Sequence, residues 1–369
     1  MVALFPSGVA LGDAFYDREQ ERKQLIQQID HTRHTVLIAP RRFGKTSLMR
    51  KVLAEKAYPH LWVDFMTMTS VEDVQEKLLE HISELIVTLG GTEKKIRQLI
   101  TRFLSVLQPE LTIGANALIT LKLKPKHTVQ NNLIEALVQL DAIAQHMKKR
   151  AVIICDEFQE ISKLESGSAL QGAIRHAAER AQMTTYLFSG SKHRPLRRLF
   201  NGKQNPLYEL CEQMTLTRVS EAYYRTYLTS EAEKRWGYPL NETLLDKIFT
   251  YTECYPKYVN ALCGKLWDGA ADPSPELLDV LWDDYIFHRK DGIRDELDAL
   301  KLNERKVLQH LCFHPTNTPY SKQVLSEVNL SQATIQRALE TLLNKDLVID
   351  VEGTYRVLDP TYRYYFQRF

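Results

Sequence analysis

The sequence predicts an α/β protein whose core is a parallel sheet, followed by parts that contain mainly helices. In roughly the first 200 residues, short apolar runs alternate with helical periodicity, which is typical of α/β domains. The runs are Thr35–Ala39, His60–Met66, Ala151–Cys155 and Thr184–Phe188, and the clearest helical segments are Val71–Thr88 and Asn131–Met147. Continuous apolar strands predict a parallel sheet covered by helices on both faces. Ile119–Lys124 alternates at period two and is expected to be an edge strand or part of a hairpin.

Composition indicates an ordinary globular protein. The 369 residues are 44% hydrophobic and 25% charged, and the net charge is only +2, so no partner class is indicated by charge. The five cysteines form no CxxC pair, which favours reduced thiols over a metal site. Because no apolar run reaches the ~18 residues of a spanning helix, we expect no membrane segment and a cytoplasmic protein.

Three domains are expected from the order of these patterns. The predicted core covers residues 1–215, and a helical lid covers 216–295, with helices over Ala222–Trp236, Asn241–Tyr251 and Lys257–Trp267. Residues 296–369 predict a winged-helix domain. Its helices are expected over Asn303–Phe313, Ser321–Val328 and Ser331–Asn344, and its hairpin strands over Leu347–Val351 and Tyr355–Leu358.

The segment from Ala39 to Ser47 carries the strongest motif. Its sequence, APRRFGKTS, lies between a predicted strand and a predicted helix and matches G-x-x-x-x-G-K-[ST] except at the first glycine, where Ala39 stands. Backbone amides and a helix N-terminus in this context bind phosphates. In such a loop, Lys45 reaches the β- and γ-phosphates and Thr46 coordinates Mg²⁺. We therefore predict a P-loop NTPase, with nucleotide-binding residues Pro40, Arg41, Arg42, Phe43, Gly44, Lys45, Thr46 and Ser47.

An acidic pair follows the buried strand Ala151–Cys155. Because ionised groups resist burial, the carboxylates of Asp156 and Glu157 at the end of a buried strand indicate a functional site. We predict that Asp156 is a ligand of Mg²⁺ and that Glu157 is the base that activates the attacking water.

Two further groups of polar residues follow the strand Thr184–Phe188. Ser191, with Ser189 as second choice, is predicted to contact the γ-phosphate or the water, although helix capping explains either serine nearly as well. The basic run that begins at Lys192 includes Arg194, the candidate for an arginine finger. A solvated helix face is the alternative for each arginine in this run.

Together these motifs resemble the AAA+-like ATPases of the archaeal ATPase family, which are related to the STAND and origin-recognition ATPases. The residues that carry the resemblance are Phe15–Glu19 (FYDRE), the run PRRFGKTSL at 40–48, the Ser-Gly-Ser at 189–191 and Asn205–Tyr208 (NPLY). The resemblance covers most of the chain and implies a P-loop core, a helical lid and a C-terminal winged helix.

The resemblance also implies details of the nucleotide site. Phe15, Tyr16 and Arg18 are expected to lie near the adenine, and ATP is expected rather than GTP. Cys254-Tyr255-Pro256 stands where the family has a G-x-P motif in the lid, but the glycine is absent.

The predicted third helix of the C-terminal domain would be the one that reads DNA. Gln332, Thr334, Gln336 and Arg337 are its candidate contacts to duplex DNA, because glutamine and arginine suit base edges in the major groove. This helix offers few charges to neutralise phosphates, so docking on a partner protein or on the rest of the chain stays open as the alternative.

The sequence therefore favours an ATP-binding, slowly hydrolysing switch that controls assembly with a partner protein or with DNA, either as a homo-oligomer or with an effector protein. The alternative is a winged-helix DNA-binding regulator, associated with defence or mobile elements, that uses nucleotide as a structural ligand.

Overall fold

The computed structural model describes residues 4–10, 12–16, 18–90, 92, 94, 98–99, 101, 103, 110–113, 119–122 and 129–369. Contacts divide the chain into two compact units. The sheet unit comprises Arg18–Ala39 and Leu48–Leu216. The helical unit comprises Thr217–Phe369, the short segment Pro40–Ser47 and the described residues of Met1–Asp17. The predicted phosphate-binding loop therefore belongs, by its contacts, to the helical unit.

The strands within the described residues are β1 (Thr35–Ile38), β2 (His60–Asp64), β3 (Glu110–Ile113), β4 (Ile119–Lys122), β5 (Ala151–Asp156), β6 (Thr184–Gly190), β7 (Glu212–Thr215), β8 (Val348–Val351) and β9 (Thr354–Val357). The helices are α1 (Glu19–Asp30), α2 (Lys45–Lys56), α3 (Val71–Gly90), α4 (Val129–Met147), α5 (Gly167–Ala178), α6 (His193–Asn201), α7 (Glu221–Trp236), α8 (Glu242–Thr252), α9 (Pro256–Gly269), α10 (Pro275–Asp298), α11 (Leu302–Phe313), α12 (Lys322–Val328), α13 (Gln332–Asn344) and α14 (Thr361–Arg368).

The core of the sheet unit is a parallel sheet with the strand order β2-β5-β6-β1-β7. Strands β1 and β6 are buried along their full length, and β5 is buried up to its last residue, which is why their sequences are continuous apolar runs. The predicted parallel sheet is confirmed. Strand β7 was not predicted, because it lies at the edge of the sheet and buries only Met214.

Two predicted strands differ in detail from the structure. Strand β2 ends at Asp64 and not at Met66, because the Asp64 carboxylate accepts the Met66 N–H at 2.9 Å and starts a 3₁₀ turn. Strand β4 is confirmed as part of an antiparallel hairpin with β3. The last two residues of the predicted strand, Leu123 and Lys124, lie outside the described residues.

In the helical unit, the three predicted lid helices are present as α7, α8 and α9. The stretch ADPSP at 271–275 leads into a further helix: Ser274 caps α10 by accepting the Leu277 N–H, and Pro275 occupies its first turn. Helix α10 continues to Asp298, and its last turns, with Ile293 and Leu297, join the C-terminal hydrophobic cluster. One continuous helix thus spans the expected domain limit at 295/296, and the domain limits stay a prediction.

The C-terminal segment has the predicted order of elements. Helices α11, α12 and α13 are followed by the antiparallel hairpin of β8 and β9. Ser331 caps α13 through the Thr334 N–H. The aromatic-rich residues Thr361–Arg368 form a helix, α14, which the sequence did not predict. The identification of this segment as a winged helix stays a prediction.

A buried histidine links β1 to its neighbours in the sheet unit. His34 Nδ1 accepts the Tyr186 N–H at 3.2 Å, and Nε2 lies 2.8 Å from the Ala178 carbonyl oxygen, to which it can donate. Both contacts need the neutral ring, because a protonated Nδ1 would face a donor. Burial lowers the pKa of His34 below its ordinary value.

The unfolded chain therefore binds a proton that the folded sheet unit excludes, so we expect stability to fall as pH drops below about 6.5, by at most ~1.4 kcal/mol per pH unit. The urea midpoint of unfolding should be lower at pH 5.5 than at pH 7.5, and His34→Gln should reduce that difference. His288→Gln, at an exposed site, is the control. An unchanged pH dependence in His34→Gln would contradict this account.

No helix among the described residues is long and apolar enough to cross a membrane.

Candidate functional site

The structure distributes the predicted site residues over both units. The helical unit contains Pro40, Arg41, Arg42, Phe43, Gly44, Lys45, Thr46 and Ser47, together with Phe15 and Tyr16, and the sheet unit contains Arg18, Asp156, Glu157, Ser191 and Arg194.

The loop after β1 turns through residues with unusual backbone angles. Ala39, at the position of the missing first glycine, is fully buried. Gly44 has a φ of +88° and Arg42 a φ of +67°, so the loop contains two residues in the left-handed region. An added Cβ at Gly44 would meet no protein atom within 4 Å, so among the described residues it is the backbone angle that favours glycine here.

Lys45 begins α2, where the helix dipole adds positive potential. Its ammonium is buried and donates to the Pro40 carbonyl oxygen at 3.3 Å, across the loop. Two residues later, the Ser47 hydroxyl accepts the Ala10 N–H at 3.0 Å. Because of its contact to Pro40, the Lys45 side chain lies over the loop that is expected to bind phosphates.

The segment Cys254-Tyr255-Pro256 contacts the backbone of this loop. The Tyr255 hydroxyl donates to the Arg41 carbonyl oxygen at 2.6 Å, and the Tyr255 ring packs edge-on against Phe43, with 4.8 Å between ring centroids. Burial raises the pKa of Tyr255, so its hydroxyl remains a donor. The sequence did not predict this contact, because it joins residues far apart in the chain.

The segment expected near the adenine is divided between the units. Tyr16 stacks on Tyr227 of α7 at 3.8 Å, and its hydroxyl donates to Asn260 of α9 at 3.2 Å. Arg18 precedes α1 in the sheet unit, has a φ of +71° and pairs with Glu21 at 2.8 Å. Helices α7 and α9 thus position Tyr16, whereas α1 positions Arg18.

The acidic pair lies at the carboxyl end of β5. The Ser189 hydroxyl, from the adjacent strand β6, donates to Asp156 Oδ1, and the Glu157 N–H donates to the same oxygen at 3.0 Å. These two donors fix the orientation of the Asp156 carboxylate. Ser189, the second choice for a contact to the γ-phosphate or the water, therefore contacts Asp156, the predicted Mg²⁺ ligand.

Glu157 is held by a second set of donors. Its Oε2 accepts the Ser191 hydroxyl at 2.7 Å, the Ser191 N–H at 3.2 Å and the Gln159 side-chain amide at 2.7 Å. Ser191, which is predicted to contact the γ-phosphate or the water, is thus in direct contact with Glu157, the predicted base. Together these donors keep the Glu157 carboxylate in one orientation.

Gln159 was not recognised in the sequence. An added Cβ at Gly190 would lie 1.9 Å from Gln159 Oε1, so only glycine lets this amide approach the end of β6. A glycine at a strand end can indicate such an approach, but it does not name the neighbour.

The basic run forms α6 and is only partly paired. Lys192 lies 3.2 Å from Glu160, whereas Arg194, Arg197 and Arg198 form no ion pair with any residue that the structure describes. Arg194 is partly buried, and the other two arginines are exposed. Helix α6 therefore carries several arginines, and the assignment of Arg194 as an arginine finger stays a prediction.

The predicted DNA-reading residues lie on α13. Gln332, Gln336 and Arg337 are exposed, and the Thr334 hydroxyl lies 2.9 Å from the Ser331 hydroxyl at the N-terminus of the helix. The tip of the β8–β9 hairpin carries the exposed acidic residues Asp350 and Glu352.

Two solved structures resemble the chain over nearly its whole length. The Walker-type ATPase PABY2304 of Pyrococcus abyssi superposes with a TM-score of 0.69 at 16% sequence identity, with 99% of each chain covered. The Aeropyrum pernix ORC2 protein, solved as ADPNP–ADP complexes, superposes with a TM-score of 0.55 at 14% identity, with 98% of this chain and 94% of that chain covered. No protein-family model and no curated protein matches the sequence. At these identities the likeness concerns the fold alone, and the chain shares the fold of these two proteins.

Proposed function

We propose that the chain binds ATP in the loop Pro40–Ser47 and hydrolyses it slowly with Glu157 as the base. The observation that carries this proposal is that Ser191 and Gln159 fix the Glu157 carboxylate at the end of β5. A base must be oriented toward the proton that it removes, and three donors on one oxygen supply that orientation. The likeness to a Walker-type ATPase and to an ORC2 protein solved with adenine nucleotides supports ATP as the nucleotide.

We further propose that the loop and the acidic pair act on one nucleotide. The loop follows β1 and the acidic pair ends β5, and the carboxyl ends of parallel strands meet at one edge of a sheet. In this arrangement Lys45 neutralises phosphate charge, while Glu157 accepts a proton from water. Ser191 acts on the reaction through Glu157 as a positioning residue, and Arg194 is the candidate for added charge stabilisation.

Mg²⁺ would be held by Thr46 and Asp156. A hydroxyl and a carboxylate are the oxygen ligands that this hard cation prefers, so the donor set fits the ion. When bound, Mg²⁺ neutralises charge on the phosphates. Phe15, Tyr16 and Arg18 are proposed to border the adenine, and the contacts of Tyr16 with Tyr227 and Asn260 hold its ring in place.

We propose that nucleotide binding drives a switch that controls assembly, either between copies of this chain or with an effector protein. A partner protein is favoured over duplex DNA, because the hairpin tip of the proposed winged helix carries Asp350 and Glu352, which phosphates would repel. The exposed Gln332, Gln336 and Arg337 support the DNA-binding alternative. The five free cysteines fit the reducing conditions of the cytoplasm.

Light scattering coupled to size exclusion tests the switch. We expect the Glu157→Gln variant with ATP and Mg²⁺ to elute as a larger assembly than the same variant without nucleotide, because trapped ATP would hold the assembling state. A mass unaffected by nucleotide in both wild type and variant would contradict control of self-assembly. Salt-dependent binding of duplex DNA without any change in mass would favour the regulator instead.

A further inference from the structure

Tyr255 holds the loop at two points. Its hydroxyl donates to the Arg41 carbonyl at 2.6 Å, and its ring packs against Phe43, so both residues flanking Arg42 are in contact with it. Arg42 has a φ of +67°, which a non-glycine residue adopts only when its surroundings impose it. One buried tyrosine of the lid therefore supports the strained turn of the loop.

Arg218 holds the turn that carries Tyr255. Its guanidinium lies over the Tyr255 ring at 5.9 Å and donates to the Glu253 carbonyl oxygen at 3.1 Å. Residues Glu253 and Cys254 both have positive φ, at +45° and +54°, so this turn also depends on its surroundings. The guanidinium is mostly buried and also pairs with the Glu253 carboxylate.

The same guanidinium reaches the C-terminal segment. Arg218 Nη2 donates to the Leu358 carbonyl oxygen at 3.3 Å, just after β9. The next residue, Asp359, accepts a hydrogen bond from Tyr258 and pairs with Arg289 of α10 at 3.1 Å. The segment that follows the hairpin is therefore fixed to the lid next to the residues that support Tyr255.

We propose that Tyr255 is a positioning residue for the nucleotide, setting the backbone of the phosphate-binding loop from the lid, and that Arg218 couples its position to the C-terminal segment at Leu358. This inference rests on the proposed nucleotide binding by the loop. The physical basis is that amides bind a phosphate only when the loop backbone holds them in the binding geometry. Binding of a partner to the C-terminal segment would then change nucleotide affinity, and nucleotide would change partner affinity by the same factor.

Titration of the full chain with a fluorescent ATP analogue and steady-state hydrolysis test the proposal. Tyr255→Phe keeps the ring and removes only the hydroxyl, and we expect it to raise Kd and KM for ATP about three- to tenfold, the range of one neutral hydrogen bond, with kcat little changed. Tyr251→Phe is the matched control, because it also removes one lid hydroxyl, which donates to Asp279 and not to the loop. We expect this control to bind ATP as wild type does.

Arg218→Met tests the coupling. Because Arg218 is proposed to act through Tyr255, the Arg218→Met/Tyr255→Phe double variant should bind ATP about as weakly as the weaker single variant. Wild-type affinity in Tyr255→Phe, an equal loss in Tyr251→Phe, or multiplicative losses in the double variant would each overturn the inference. If wild type itself bound no ATP, the proposed function would fail, and this inference with it.

Discussion

Replacing Lys45 with alanine is expected to raise the dissociation constant for ATP about 100-fold. The ammonium starts α2 and lies over the loop, where a bound phosphate would replace its contact to the Pro40 carbonyl. A charge-assisted hydrogen bond contributes about 1.5–3 kcal/mol, or roughly 10- to 150-fold in affinity. Isothermal titration with ATP and Mg²⁺ measures the effect.

Lys56→Ala is the matched control, since this lysine is exposed at the other end of the same helix. It removes the same side chain and should leave ATP affinity unchanged. Thermal unfolding of both variants without nucleotide separates a folding defect from a binding defect. If Lys45→Ala bound ATP as tightly as wild type, the assignment of the loop as the phosphate site would be wrong.

Glu157→Gln is expected to lower the ATP hydrolysis rate at least about 100-fold while leaving ATP binding nearly intact, because a general base contributes about 10²- to 10⁴-fold. Glutamine has the shape of glutamate, and its amide oxygen can still accept the hydrogen bonds from Ser191 and Gln159. It cannot accept the proton of water. Phosphate release at saturating ATP, together with a binding titration, measures the two effects separately.

Glu160→Gln makes the same chemical change one turn further along the chain, at a carboxylate that pairs with Lys192. We expect its hydrolysis rate to stay within a few-fold of wild type, because Glu160 pairs with Lys163 and Lys192 and has no proposed part in proton transfer. Equal losses in the two variants would show that charge in this turn, and not a base at Glu157, supports turnover. An unchanged rate in Glu157→Gln would exclude it as the base.

Local sequence was enough to identify the residues of the candidate site but not their contacts. Gly44 and Lys45 were recognisable because a phosphate loop needs a fixed spacing between a strand and a helix. The acidic pair was recognisable because two carboxylates follow an apolar run. By contrast, the contact of Ser191 with Glu157 depends on β6 lying beside β5, and strand order is not encoded in either segment alone.

Segments without a clear periodic pattern were also missed. Strand β7 is stabilised mainly by its hydrogen bonds to β1 and buries only one side chain. Its sequence therefore lacks the apolar pattern that predicts a strand. Helix α14 was not predicted, although Tyr362 and Tyr365 become buried in the C-terminal cluster once the preceding elements are folded. In both cases a neighbour supplies the stabilisation that local propensity lacks.

The sequence by itself determined the parallel α/β core, the loop between β1 and α2, and the acidic end of β5, because hydrophobic periodicity and fixed motif spacing are local properties. Tertiary structure alone decided which side chains contact the predicted functional groups from distant parts of the chain: Ser189 on Asp156, Ser191 on Glu157, and Tyr255 on the loop. Those hydrogen bonds join residues whose separation along the chain bears no relation to their distance in space, so only the packing of strands and helices can bring the partners together.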